Sequence, residues 1–396
     1  MLKEKILLSG QINNVTEMLE GYLKDEAAVL GLIGISNPYT TPGSARASYY
    51  EKGALKSNRS IFNIYFRHKK GYPLYLFIFV YIAYFCSIVR SALRFKTKFD
   101  IFIGVSTFSA FLGIILKKLG RVRKVVYYSI DYFPLNHRSK FEDFMGRSFF
   151  LLDSFCAKYS DMTWHINPDI AKARATFARL KPEKYTSINV PLGFGEGMLS
   201  PSTFSEIEKF TLVFAGALHP EQGLQMVIKA FPEILDRFPQ AKLVIIGSGF
   251  FAPEVKKMVD HSLARNRIIL KGFISDLKEL SGILSHCAVG LATWDMSAEN
   301  CIRYADPSKP KHYAFCGLPV IITRTNAIAD EIDDLRAGIA INYDEKEFVD
   351  AVSRLLGDEK LLQDYRENAL KFAHRYISAN IYKKALEQTF KRINQI

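Results

Sequence analysis

Several signatures that would settle the chemistry of this chain early are missing. No Cys-x-x-Cys pair occurs, and the five cysteines (Cys86, Cys156, Cys287, Cys301, Cys316) stand apart in hydrophobic contexts. An odd, scattered set points to reduced thiols in a cytosolic setting rather than to a disulfide frame or a zinc site. No Gly-x-Gly-x-x-Gly is complete: Gly247-Ser248-Gly249 follows an apolar run and then breaks off, which argues against NAD. No Asp-x-Asp triad is present and the histidines are isolated, so neither a metal nor a resident cofactor is expected. Zinc-finger spacing, a helix-turn-helix signal and RNA-binding aromatic motifs are absent too, which disfavours nucleic acid as a partner. The first apolar run, Ile6-Leu7-Leu8, is too short for a signal peptide and reads as a strand. There is no internal repeat and no low-complexity tract.

Acidic residues are also scarce in one region. Between Glu51 and Lys124 there are fifteen lysines and arginines against two acids, Glu51 and Asp100. The whole chain of 396 residues carries a formal charge of +13, and 48% of it is hydrophobic. That combination supports a sizeable core and an anionic partner. Within the basic region, residues 72–89 carry no charge and include four tyrosines, and cations flank them on both sides. Three readings stay open: a short spanning helix, a helix buried on a sheet, and an interfacial helix. The tyrosines favour the interfacial reading, with residues 67–98 meeting an anionic membrane surface.

Short β-branched runs alternate with helical patterns along the chain. Strands are expected at 5–8, 29–33, 101–105, 124–129, 162–166 and 186–190, and again at 211–215, 242–246, 268–271, 289–292, 319–323 and 339–341. Helices are expected between them, including 108–119, 141–159, 223–238, 252–263, 276–286, 308–316 and 345–356, with a basic amphipathic helix from 378. Such alternation implies parallel sheets covered by helices on both faces. Two series imply two doubly wound domains, 1–198 and 206–376, parted where glycine and proline cluster near 191–205. A terminal helix at 377–396 is expected to pack back on the first domain. Ligands in such sheets bind beyond the carboxyl ends of the strands.

The richest segment is Asp306-Pro307-Ser308-Lys309-Pro310-Lys311-His312-Tyr313-Ala314-Phe315-Cys316-Gly317-Leu318-Pro319-Val320. It reads as one short helix with Ser308 as N-cap and Gly317 as its stop, leading into a buried strand. That order puts Lys309 at a helix N-terminus, where a phosphate would sit. Upstream, Gly216 and Gly223 flank a loop that leaves a strand and opens a helix. Gly272-Phe273 leaves another strand, where Phe273 either lies against a nucleobase or packs in the core.

The order Gly216, Gly223, Gly247-Ser248-Gly249, Gly272-Phe273, Pro307-x-Lys309-x-x-x-Tyr313-x-x-x-Gly317-x-Pro319-Val320, Glu331, Gly338 resembles the donor half of GT-B glycosyltransferases. These enzymes use sugar nucleotides and are built from two facing Rossmann-like domains. The resemblance covers about residues 210–376; the first half is similar only in its rhythm. It implies that Lys309 pairs with the donor diphosphate, that Phe273 lies against the base, and that Gly216, Gly223, Ser308 and Gly317 shape the donor site. A uridine nucleotide is the expected donor.

The chain departs from the family pattern in places. Where many retaining members carry two glutamates eight apart, Tyr304 and His312 stand here, which leaves Arg303, Tyr304 and Glu299 as candidates for the sugar and ribose hydroxyls. Leu218 and Gln222 occupy a region that is often cationic, so Lys309 would bear more of the phosphate charge. On the acceptor side Asp131 leaves a strand of the first domain. It either takes the proton of the attacking hydroxyl, giving inversion, or caps a turn; His165 and Asp169 are weaker candidates. The resemblance thus implies a transferase acting on a lipid-linked or glycan acceptor, peripheral at the cytoplasmic face of the cell membrane. Alternatives are a sugar-nucleotide epimerase of the same shape and a basic nucleic-acid-binding protein.

Overall fold

The structure is a computed structural model that describes residues 2–35, 45–61, 74–132, 140–295 and 301–393. It divides into two units: Met1–Gly193 with Ser378–Ile396, and Phe194–Ile377.

The first unit is built on an eight-stranded sheet. In chain order its elements are β1 (Leu2–Gln11), α1 (Asn14–Glu26), β2 (Ala27–Ile35), β3 (Arg46–Glu51), β4 (Ala54–Ser60), α2 (Leu74–Arg94) and β5 (Phe99–Val105). Then come α3 (Thr107–Lys118), β6 (Val122–Ser129), α4 (Lys140–Tyr159), β7 (Met162–His165), α5 (Asp169–Phe177) and β8 (Ser187–Asn189). The strand order is β4-β3-β2-β1-β5-β6-β7-β8. Six strands are parallel, but β3 and β4 form an antiparallel hairpin on the edge. That hairpin corrects the expectation of purely parallel sheets. Its strands are short and polar, β4 is exposed along most of its length, and its turn is Lys52-Gly53 with φ of 47° and 78°. Neither hydrophobic alternation nor an Asn-Gly turn announces it.

The described part of the uncharged segment is the helix α2, which extends past residue 89 to Arg94. One side joins the core through Ile88 and Ala92, while Phe79, Ile82 and Leu93 face solvent at 61%, 57% and 47% exposure. Tyr72 and the flanking cations Arg67, Lys69 and Lys70 lie outside the described residues. Among the described residues no helix is long and apolar enough to cross a membrane.

A buried ion pair crosses the core of this unit. Arg174 donates to Asp153 through Nε at 2.6 Å and Nη2 at 2.8 Å, and Tyr127 Oη donates to the same carboxylate at 2.7 Å. Satisfying every polar atom of such a pair is what makes its burial tolerable. The final helix, α13 (Ser378–Ile393), lies on α1 and completes the unit: Trp164 Nε1 donates to Thr389 Oγ1 at 2.9 Å inside the core.

The second unit is a doubly wound domain with all six strands parallel. It comprises β9 (Glu208–Ala215), α6 (Leu224–Arg237), β10 (Lys242–Ile246), α7 (Ala252–His261), β11 (Ile268–Gly272), α8 (Leu277–Ser285) and β12 (Cys287–Ala292). It continues with α9 (Ser308–Phe315), β13 (Val320–Thr323), α10 (Ala327–Asp334), β14 (Gly338–Ile341), α11 (Glu345–Leu356) and α12 (Glu359–Arg375). The order β11-β10-β9-β12-β13-β14 reverses direction between β9 and β12. In open parallel sheets that reversal opens a crevice at the carboxyl ends of the two strands.

Candidate functional site

In the second unit, the β9/β12 reversal is lined by bare backbone. Gly216 N donates to Ile246 O at 3.0 Å and Gly247 N to Gly272 O at 2.8 Å, so glycines continue three neighbouring strand ends side by side. A Cβ at Gly247 would collide with the carbonyl of Gly216. Gly223 has φ 73° and takes the N-cap place of α6, where a side chain would strike Thr293 O. Only glycine fits that left-handed, crowded position.

Two helices begin here without side-chain caps. Gly223 has no side chain to offer α6, and Pro307 precedes α9 with no acceptor. Ser308 was expected to cap α9; it is instead the first helical residue and is exposed. The N–H groups of an uncapped first turn, together with the helix dipole, favour an anion.

Tyr313 fixes α9 against the sheet. Its hydroxyl accepts from Ala215 N at 2.7 Å and donates to Leu291 O at 3.2 Å, spanning β9 and β12. The ring lies over Gly290, where any Cβ would overlap it. One helical turn back, Lys309 shares that face of the helix. Its ammonium donates to Gln222 Oε1 at 2.6 Å and stands 3.8 Å from the Phe214 ring centroid and 5.4 Å from that of Trp294. A Cβ on Gly216 would lie 3.2 Å from Lys309 Nζ. Lys309 keeps some contact with solvent, but burial of its ammonium pulls its pKa down to about 7. Among the described residues no carboxylate pairs with it.

Lys311 is a contrast two residues on. It is fully buried, and both oxygens of Asp306 accept from its ammonium at 2.6 Å. Burial lowers its pKa while Asp306 pulls the other way. One lysine of the motif is therefore an internal strut, and the other faces the glycine-lined crevice.

Gln222 was passed over in the sequence as a missing cation. Its carbonyl oxygen holds Lys309, where a second ammonium would repel it. Leu218, at the other position of that kind, is core: 5% exposed, with its N–H on Ser248 O at 2.8 Å.

The remaining donor-side residues are more scattered. Phe273 follows β11 and is 69% exposed, which removes the core-packing alternative. Arg303 and Tyr304 sit in a 3-10 turn, Cys301–Tyr304, ahead of α9, while Glu299 lies outside the described residues. Gly317 belongs to the far end of α9, where it adopts φ 77° against Pro201 and Arg366. It ends the helix, at the end opposite Lys309. His312 hydrogen-bonds Ser281 Oγ at 3.0 Å, and Glu331 accepts from Arg375 and Tyr376, so both serve packing within the unit.

In the first unit Asp131 lies two residues beyond β6 and is exposed. Partial desolvation of its carboxyl raises its pKa, with no charged neighbour contributing. Among the described residues it accepts no hydrogen bond, and residues 133–139, whose turn it was to cap, lie outside them. His165 is 2% exposed, and burial beside Arg174 holds it neutral, its pKa far below the usual value. Asp169 pairs with Lys172 at 2.9 Å. A signal that sequence reasoning missed is Ser106, at the carboxyl end of β5, with φ 83°. Left-handed backbone at a non-glycine residue is costly and concentrates at functional sites. Among the described residues no three His, Cys, Asp or Glu side chains converge as a metal site would need.

Residues 209–358 match the family model described as glycosyl transferases group 1. Over 199 residues the chain is 26% identical to D-inositol 3-phosphate glycosyltransferase 2 of Catenulispora acidiphila, covering 44% of this chain and 43% of that protein. It is 25% identical over 180 residues to the poly(glycerol-phosphate) alpha-glucosyltransferase of Bacillus subtilis, covering 44% and 24%. The matches thus span less than half the length of these curated relatives. Among solved structures, Anabaena HepE in complex with UDP superposes with a TM-score of 0.67 at 14% identity, covering 98% of this chain and all of that one. OtsA in its apo form does so at 0.70 and 13%, covering 98% and 99%. Residues 209–358 are thus similar to a glycosyl transferases group 1 domain, and the chain shares the GT-B fold of HepE and OtsA.

Proposed function

We propose that this chain is a glycosyltransferase that moves a sugar from a nucleoside-diphosphate donor to a hydroxyl of a lipid-linked or membrane-held acceptor. The observation that carries the reading is Lys309: a desolvated ammonium with no carboxylate partner among the described residues, held by Gln222 over Gly216 between two uncapped helix starts. A diphosphate placed there meets one cation, two helix dipoles and backbone bare enough to approach. As the bond from the anomeric carbon to the diphosphate oxygen breaks, charge grows on that oxygen. Preorganised donors in a site of low dielectric stabilise it strongly.

The donor is read as a uridine nucleotide; HepE, a structural neighbour, was solved with UDP and with UDP-glucose. Phe273, exposed at the end of β11, would lie against the base. Asp131 would accept the acceptor's hydroxyl proton as that oxygen attacks, giving inversion in one displacement, and its raised pKa suits a base. The exposed apolar residues of α2 would place the protein on the cytoplasmic face of the cell membrane, where such acceptors are held.

Calorimetry against a panel of nucleoside-diphosphate sugars tests the reading. Saturable binding that Lys309→Ala removes, in a protein that still melts cooperatively, is expected. Absence of binding by every sugar nucleotide would overturn it.

A further inference from the structure

In the first unit a cavity of about 460 Å³ opens between the β3–β4 hairpin and the end of α2. Strand register explains one wall. Ala47 pairs with Arg59 and Tyr49 with Ser57, so these four side chains share a face of the hairpin. The other wall is Ser91, Arg94, Phe95 and Lys96, and the Tyr49 and Phe95 rings meet at 5.8 Å.

The charges lining this cavity are mostly of one sign. Arg46 and Lys24 pair with Glu20, and Lys117 pairs with Asp161. Arg59, Arg94 and Lys96 have no ion pair or hydrogen bond among the described residues. Among the described residues Glu51 is the one acid lining the cavity. Three cations that have no partner among the described residues, around a concave, partly aromatic site, call for an anion.

The apolar surface beside it narrows the class. Arg94 also lines an open groove along α2 with Phe85, Cys86, Val89, Arg90 and Leu93. Phe79, Ile82, Cys86 and Leu93 recur at helical spacing on one exposed side of α2. An apolar stripe that leads into a cationic cavity matches an amphiphile: a hydrocarbon chain along the helix and a phosphate at its end. Nucleic acid would leave the stripe uncovered.

We infer that this cavity binds the phosphate headgroup of an anionic membrane phospholipid, whose acyl chain lies along the exposed side of α2. The site rests on the membrane-held-acceptor reading above and is independent of sugar transfer. It orients the first unit on the bilayer through a specific contact rather than through diffuse charge.

Co-sedimentation with phosphatidylcholine vesicles, with and without phosphatidylglycerol, tests it. The wild-type chain is expected to bind the mixed vesicles, and a variant carrying Arg59→Ala, Arg94→Ala and Lys96→Ala to lose on the order of 100-fold in partitioning. A control that removes three exposed cations of the other unit, Lys229→Ala, Lys256→Ala and Lys257→Ala, should lose far less. Ile82→Ser with Leu93→Ser should weaken binding to the same vesicles. Equal losses in the cavity variant and the control would overturn the site while leaving membrane binding intact. A wild-type chain that ignores all vesicles would overturn the membrane reading and the site together. Saturable binding of inorganic phosphate without vesicle binding would assign the cavity to a free anion and overturn the lipid. Cooperative melting and an unchanged circular-dichroism spectrum of each variant show that the fold survives.

Discussion

The hydroxyl of Tyr313 accepts a hydrogen bond from the backbone N–H of Ala215 at 2.7 Å, joining the middle of α9 to the end of β9. This bond sets the height of the helix against the sheet, and with it the place of Lys309 four residues earlier. Tyr313→Phe leaves Ala215 N–H without that partner, at a cost of ~1–3 kcal/mol. Chemical denaturation should show the loss, and calorimetry should show weaker donor binding with Lys309 intact. Unchanged affinity would mean that the crevice does not depend on this anchor.

Lys309→Met should separate binding from stability. It removes an ammonium that is desolvated and has no counter-ion among the described residues, so the melting temperature should hold or rise. Donor affinity should fall by about 10–100-fold, in line with loss of a charge-assisted contact to phosphate. A variant that binds the donor normally would remove Lys309 from the site.

Acidity should tune the same contact. In the free protein Lys309 titrates near 7, and a bound diphosphate raises that value. Below about 7 the ammonium is already charged, so affinity is flat; above it, affinity falls with rising pH until the lysine of the complex titrates. Binding near pH 8 should therefore take up a proton, visible by calorimetry in buffers of different ionisation heat. For folding the sign is the reverse. A lysine depressed in the native state binds fewer protons than in the unfolded chain, so its contribution to stability improves from pH 7 upward.

Lys311→Ala should do the opposite of the change at Lys309. It strips the Asp306 carboxylate of its buried cation and should cost ~3–5 kcal/mol. A denaturation midpoint equal to wild type would show that the pair is not a strut.

Asp131→Asn should leave donor binding untouched and abolish transfer. The raised carboxyl pKa adds that the acid limb of the rate profile should lie above the usual carboxylate range. Near-normal turnover by the amide would dismiss Asp131 as the base.

Much of the second unit was legible in the sequence, because parallel strands buried on both faces read as short apolar runs such as Leu243-Val244-Ile245-Ile246 and the glycines sit where the backbone needs them. Less was legible where structure depends on partners far along the chain. The β3–β4 hairpin carries no alternation because both of its faces are largely polar. Gln222 looked like an absence until Lys309, 87 residues later, was found hydrogen-bonded to it. Ser308 looked like a cap because serine often is one, but Pro307 had already taken the extended conformation that precedes the helix. The two lysines of one motif could not be ranked by spacing; burial and Asp306 divide them.

The first unit is assembled from two stretches of chain, with the second unit spliced between them. During synthesis from the amino end, the second unit thus emerges whole while its neighbour still lacks α13. Until that helix leaves the ribosome, the indole N–H of Trp164 has no Thr389 to meet. Completion of the unit begun first is thereby deferred until the second unit has been made, and a nascent chain cut short of α13 is marked by an unfinished core.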